Sequence, residues 1–403
     1  MEQQQQQHRD RRLPGMREFV AMMAALMAAN ALAIDAMLPA LPAIGEALAV
    51  RTENDRQLVI SAYLIGFGVA QLFYGPISDR VGRKTILVWS LGLYTLFALA
   101  SGLATSFDLL LAARALQGAA AAGTRTLVVS IVRDRFVGSE MAKVMSLVFI
   151  VFMIVPVLAP AFGQAVLLFG SWQLIFIGLG LYGGAVLLWA MLRLPETHPP
   201  EKRRLLSPAL LWEAFVTTVA TRVSIGNTVA QMLVMGGLFA FINSIQQIVF
   251  DVFGAPELIA LVFAAIAGPM ALSSWLNSRI VVRLGARGVA LRALGLFTTI
   301  ATLHFAVAAL AGEWLIVFIL LQALAMATFG LIGANLGALA MEPLGHVAGT
   351  ASSIQGVITT VGGALIGLAV GRAFDGTTLP FLAGLAICGA LALVTAVWAN
   401  RPA

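Results

Sequence analysis

The sequence predicts an all-α membrane protein of twelve transmembrane helices, arranged as two pseudo-symmetric six-helix bundles. Three observations lead there. Of the 403 residues, 60% are hydrophobic and only 11% charged, with a mean hydropathy of +0.93, so the chain carries more apolar surface than one soluble core hides. Apolar runs long enough to cross the roughly 30 Å hydrocarbon layer as helices recur twelve times. Lys and Arg collect in alternate connections between those runs. A soluble enzyme and a secreted module are excluded. The one cysteine, Cys388, forms no intrachain disulfide and supplies no cysteine-based metal framework, so neither a structural metal nor a cofactor is expected. The excess of 25 basic over 19 acidic residues is dispersed in short groups rather than gathered on one face, which argues against nucleic acid as a partner.

Residues 1–18 are polar and of low complexity, with Gln3 to Gln7 followed by His8, Arg9, Arg11 and Arg12, and are expected to form a disordered cytoplasmic tail. The run after it is too long for a signal-peptide core and has no small-residue cleavage site, so it is expected to remain as the first span. Spans one to six are predicted near 19–38, 57–77, 85–106, 108–132, 143–168 and 172–193. Spans seven to twelve follow near 223–250, 258–280, 288–310, 314–340, 347–371 and 379–399. With the N-terminus inside, 20 of the 25 basic residues fall in inner segments, three (Arg51, Arg56, Arg372) fall outside, and Arg114 and Arg125 lie within span four. Both termini are therefore expected in the cytoplasm.

The longest polar interruption, residues 195–222 with the run Glu201-Lys202-Arg203-Arg204, reads as a cytoplasmic linker between bundles at 19–194 and 223–403. A weak echo supports paired halves: Arg80-Val81-Gly82-Arg83-Lys84 after span two resembles Arg283-Leu284-Gly285-Ala286-Arg287 after span eight. The plainer alternative is that any cytoplasmic loop holds Arg and Gly. Parallel six-span halves make a transporter architecture with its substrate site between them near the midplane.

Three motifs carry a family signature. Gly75-Pro76-Ile77-Ser78-Asp79-Arg80-Val81-Gly82-Arg83-Lys84 resembles the loop motif G-x-x-[DS]-D-R-x-G-R-[RK] of the major facilitator superfamily at every specified position. Arg114-Ala115-Leu116-Gln117-Gly118 resembles the R-x-x-Q-G of its proton-coupled members. Asp35-Ala36-Met37-Leu38-Pro39-Ala40-Leu41-Pro42 resembles the first-span D-x-x-L-P-x-L-P of drug:proton antiporters in the bicyclomycin and chloramphenicol resistance branch. Two departures stand out. Span five has Ala159-Pro160-Ala161-Phe162-Gly163-Gln164 where antiporters have G-P-x-x-G-G, and span seven is unusually polar. The resemblance implies a monomeric, proton-coupled exporter of drugs or other small molecules in a bacterial inner membrane. Its energy would come from the proton gradient, and no phosphate-binding G-x-x-x-x-G-K-[ST] sequence points to ATP. A narrow-specificity metabolite exporter or a proton-coupled importer would share the same fold.

An ionised side chain near the bilayer centre is costly, so Asp35 requires a partner, a watery cavity or a proton. Helical rise places Asp35 and Arg114 within about one turn in depth, so they are expected to meet and to form the proton-coupling pair. A static ion pair, or a carboxylate wetted at the mouth of the span, are the alternatives. Arg125 follows Arg114 by eleven residues, only about 20° around the helix and about 16 Å deeper. It would favour neutral, zwitterionic or anionic cargo, unless it snorkels to the surface or pairs with Asp79 or Asp134. Tyr63, Gln117, Asn227, Gln231, Asn243 and Gln246, with Gln247 beside them, are further candidate cargo contacts, with interhelical hydrogen bonding equally open. The resemblance assigns Gly75, Asp79, Arg80, Gly82 and Arg83 to a conformational latch, and Pro156, Pro160 and Gly163 to a seal in the fifth span. Met23 and Met27 share the helical face of Asp35, and His304 is expected to be packed or hydrogen-bonded. A membrane enzyme is disfavoured by scarce paired acids and few histidines, and a channel would conduct without saturating.

Overall fold

The computed structural model describes residues 14–202 and 208–401. Residues 1–13 of the expected tail and 203–207 of the expected linker lie outside the described residues. The described chain is helical almost throughout and contains no strand. That follows from the medium: with no water to satisfy backbone N–H and C=O groups, a spanning segment must satisfy its own.

Among the described residues, eleven helices are long and apolar enough to cross a membrane. They are α1 (Met16–Asp35), α2 (Leu58–Val81), α3 (Arg83–Gly102), α4 (Phe107–Arg135), α5 (Gly138–Phe169) and α6 (Gln173–Arg193). After a short helix at Pro208–Ala220 come α7 (Arg222–Gln247), α8 (Ile259–Ala311), α9 (Leu315–Met341), α10 (Ala348–Arg372) and α11 (Leu379–Ala399). Three differences from the sequence expectation stand out: α1 begins at Met16, inside the expected tail; Pro208–Ala220 is helical inside the expected linker; and α8 joins two apolar runs into 53 residues, breaking helical geometry only at Gly285 (φ 70°, ψ 156°). Gly82, which separates α2 from α3, has φ 117° and ψ 147°. The two glycines of the sequence echo thus both adopt a left-handed backbone that other residues rarely take.

Large apolar side chains face outward: Leu310 is 89% exposed and Val282 83%, the reverse of a water-soluble surface. Inside, small residues let backbones approach. A Cβ at Gly118 would strike the Tyr63 carbonyl oxygen, and one at Gly66 the Ala115 carbonyl, so α2 and α4 lie in backbone contact. The helices up to α6 pack mainly on one another, as do those from α7 onward. The two groups meet through α2 on α10, where Gln71 Nε2 donates to Thr360 Oγ1 (3.2 Å), and through α5 on α8, where Gln164 Nε2 donates to the Pro256 carbonyl (3.1 Å) in the turn just before α8.

Two helix starts carry side-chain acceptors. Ser106 caps α4 by accepting from the Leu109 N–H (3.3 Å). Glu196 accepts from the backbone N–H groups of Arg83 (2.8 Å) and Lys84 (3.2 Å), placing a carboxylate at the positive start of α3. Span five stays one helix through Pro156 and Pro160.

Candidate functional site

Asp35 is the last residue of α1, where the helix gives way to a 3-10 turn at Leu38–Ala40 and a short helix at Leu41–Ala47. Pro39 and Pro42 account for the interruption, since neither supplies a backbone N–H. Gly163 of α5 packs against this break so closely that a Cβ would strike the Ala36 carbonyl oxygen, with the Pro39 ring beside it. Asp35 is buried, and its Oδ1 has no protein partner.

The expected meeting of Asp35 with Arg114 does not occur in this arrangement. Arg114, fully buried, instead donates to the carbonyls of Ala33 (2.8 Å) and Val59 (3.2 Å) and to Gln117 Oε1 (2.7 Å). Its guanidinium lies 4.5 Å from the Tyr63 ring centroid and 5.6 Å from that of Phe176. Two backbone carbonyls exposed by neighbouring helices, an amide and two aromatic faces thus fill the fork that a carboxylate was expected to take. The Tyr63 hydroxyl donates to Asn30 Oδ1 (3.1 Å), and Asn30 Nδ2 donates to Thr124 Oγ1 (2.8 Å). Asn30 escaped the sequence reading, although the rule that singled out Asp35 in the same apolar run applies to it equally.

Below this network a cavity of about 520 Å³ opens between the two helix groups, at the end of the molecule where α1 begins and α11 ends. Arg125, Gln71 and Asp79 line it from one side, Gln231, Gln355 and Thr359 from the other. Asp35 and Arg114 do not line it. At its mouth, Arg83 bonds both Asp79 (2.5 Å) and Asp134 (3.1 Å) and donates to Ser78 Oγ (2.5 Å), while Arg80 is exposed. Asp79, the acid of the expected latch, is therefore paired within its own helix group. Gly75 makes no close backbone approach, its nearest neighbour being Ser353 Oγ at 3.9 Å from an added Cβ. Gly82 is required by its φ instead.

The opposite end is shut. Asn54 Nδ2 donates to the carbonyls of Arg372 (3.0 Å) and Phe374 (2.9 Å), and Gln247 Nε2 donates to Asn54 Oδ1 (2.7 Å). Gln57 bonds Gln247, and Arg372 pairs with Asp55. Every one of these contacts joins a residue before α3 to one after α6. Asn243 and Gln246 are buried near this closed end, with side-chain atoms that lack protein partners. Asn227 lies elsewhere, bonded to Val223 O (2.8 Å) and to Asn400, whose Nδ2 donates to Asn227 Oδ1 at 2.9 Å. His304 is buried and pairs with Glu313.

An all-helical bundle with lipid-facing apolar sides and a polar cavity open at one end only defines a membrane carrier. The chain belongs to the Major Facilitator Superfamily, whose family model matches residues 23–367. It is 31% identical over 375 residues to an uncharacterized MFS-type transporter, YdgK, of Bacillus subtilis, covering 90% of this chain and 89% of that one. It is 30% identical over 366 residues to a bicyclomycin resistance protein homolog of Haemophilus influenzae, covering 88% and 89%. The fold is shared with the crystal structure of a D-xylose-proton symporter, at a TM-score of 0.73 and 15% identity over 96% of this chain and 97% of that one. Together with the first-span motif, these matches set the chain in the bicyclomycin and chloramphenicol resistance branch. It is an integral membrane transport protein for small molecules, not an enzyme.

Proposed function

We propose that the protein is a proton-coupled efflux antiporter for drugs and related small molecules, working by alternating access in a bacterial inner membrane. The observation that carries this reading is Asp35: a carboxyl group enclosed at a broken helix, with no ion pair among the described residues, lying outside a cavity that opens to one side only. Such a group can exchange a proton with one side while cargo exchanges with the other. The two helix groups act as six-span bundles, 19–194 and 223–403, joined by the 195–222 linker. Counting α8 as two crossings gives twelve spans, because 53 residues in a straight helix would run about 80 Å, more than twice the hydrocarbon thickness. With both termini cytoplasmic, the cavity faces the cytoplasm and receives cargo there.

Rocking of the bundles then breaks the contacts of Asn54, Gln57, Gln247 and the Asp55–Arg372 pair, and brings the Asp79 and Arg83 latch against the opposite bundle. On the outer side Asp35 takes up a proton as cargo leaves; on return it releases the proton inward. Arg114, held by carbonyls in the present state, is free to turn toward Asp35 when the carboxylate is ionised. Tyr63, Gln117, Gln231, Asn243 and Gln246 offer hydrogen bonds to cargo as the cavity moves, and Pro156, Pro160 and Gly163 keep α5 sealed against the α1 break. The unit is a monomer, without a cofactor, driven by the proton gradient.

A drug-susceptibility panel in an efflux-deficient host, followed by uptake of the best substrate into proteoliposomes, tests the reading. Asp35→Asn is expected to retain substrate binding and downhill flux but to lose accumulation driven by an imposed pH gradient. Uphill transport at the parental rate in that variant would refute it. Proton movement in the same direction as substrate would replace export by import.

A further inference from the structure

We infer that the central cavity is an anion-selective cargo site, with Arg125 as its charge-determining residue and a small amphipathic monoanion, such as an aryl carboxylate, as the preferred class of cargo. This rests on the reading of the cavity as the cargo route. Arg125 lies inside α4, nearly three turns before its end, and its side chain is exposed into the cavity. It forms no ion pair and no hydrogen bond among the described residues; its one described contact is the Phe67 ring, 5.9 Å from the guanidinium carbon. A guanidinium has five donors and remains charged, so one that faces an open cavity with no protein partner offers an anion both a fixed positive charge and a fork of donors.

The two acids within reach by sequence, Asp79 and Asp134, are both committed to Arg83, whose side chain is only 3% exposed. That pairing holds both carboxylates on one guanidinium, so neither is bonded to Arg125. Arg83, Arg125, Arg133 and Asp79 line the cavity; with Asp134 bonded behind Arg83 the balance is one positive charge, and Arg125 lies about two turns further into α4 than Arg133. Asp35, the one carboxylate with a coupling role, does not reach the lining. Gln231 and Gln355 line the cavity from the other helix group, but Gln355 Nε2 is bonded to Ser224 Oγ (3.2 Å) and the Ala340 carbonyl (3.1 Å) and Gln231 Nε2 to the Gly333 carbonyl (3.4 Å), so the guanidinium is the main donor set offered to an oxyanion there. Phe67 and Val129 supply an apolar surface beside the charge. The cavity volume, about 520 Å³, suits a drug-sized molecule.

The test uses the purified full-length chain in lipid nanodiscs, with Cys388→Ser removing the one native thiol and Ser353→Cys placing a reporter in the cavity wall. Modification rates with a sulfonate and a trimethylammonium methanethiosulfonate reagent are compared, each normalised to a free thiol. The anionic reagent is expected to be favoured, and Arg125→Gln to lower the ratio about fivefold or more, because one unit charge acts with opposite sign on the two reagents across roughly 10 Å of wet cavity. Arg125→Lys is expected to keep the ratio. Naphthylacetate at millimolar concentration is expected to protect the thiol, and its amide and trimethylammonium counterparts to protect less, a difference that Arg125→Gln abolishes. A ratio unchanged by Arg125→Gln, or protection by the carboxylate no better than by its amide, overturns the proposal. The selectivity is read as a ratio of two rates with no pH gradient imposed, so failure of anion selection is read separately from failure of proton coupling.

Discussion

Removing the Asn54 side chain should release the closed end of the molecule. Asn54 makes three hydrogen bonds between the helix groups, to the carbonyls of Arg372 and Phe374 and from Gln247. A net hydrogen bond contributes about 0.5–1.5 kcal/mol, and Asn54 is only half-buried, so the lower part of that range applies to each bond. Their sum is about 2 kcal/mol, which shifts an equilibrium by roughly thirtyfold. Asn54→Ala is therefore expected to raise the ratio of outward-open to inward-open molecules by that factor. Asp55→Asn removes an ion pair whose arginine is 50% exposed and should change the ratio only a few-fold. Spin labels at Arg51 and Ala373, both exposed beside the seal, read the distance distribution by double electron–electron resonance in the Cys388→Ser background. A long-distance population should appear in Asn54→Ala and be much smaller in Asp55→Asn. Identical distributions in Asn54→Ala and the parent would show that the seal is held by apolar packing of α2, α7 and α10 and not by this residue.

Two further substitutions probe the glycines that shape the fold. Gly285→Ala meets open space but must adopt φ 70°, so it is expected to destabilise by about 1–3 kcal/mol in thermal unfolding, whereas Gly92→Ala, helical and unobstructed, should be neutral or slightly stabilising. Equal melting temperatures for the two would remove the argument that Gly285 makes a required break in α8. Gly118→Leu forces a side chain into the Tyr63 carbonyl and should separate α2 from α4, lowering the yield of folded protein far more than Leu116→Ala on the exposed face of the same helix; comparable yields would contradict the backbone contact.

Much of the helix plan could be read from hydropathy because a membrane span needs about twenty apolar residues and little else. The runs expected at 57–77 and 379–399 are found as Leu58–Val81 and Leu379–Ala399. The weak glycine echo gained its meaning from backbone angles, since only the structure places Gly82 and Gly285 in left-handed conformations. The polar seal at Asn54, Gln57 and Arg372 was invisible for a different reason. Those residues sit where spans end, and polar residues there look like any span boundary until the fold brings positions more than 300 apart into contact.

The one-dimensional pattern of apolar runs, basic connections and isolated intramembrane charges determined that this is a helical membrane carrier and that Asp35, Arg114 and Arg125 would matter to its interior, because the free energy of placing backbone and charge in hydrocarbon depends on residue type more than on neighbours. Partnership was decided only in three dimensions. Helix rotation and rotamer gave Arg114 to the Ala33 and Val59 carbonyls instead of Asp35, and gave both mouth aspartates to Arg83, leaving Arg125 facing the cavity alone. Hydrogen bonds and ion pairs act over about 3 Å, and a shift of that size is set by how whole helices pack, which no local stretch of sequence specifies.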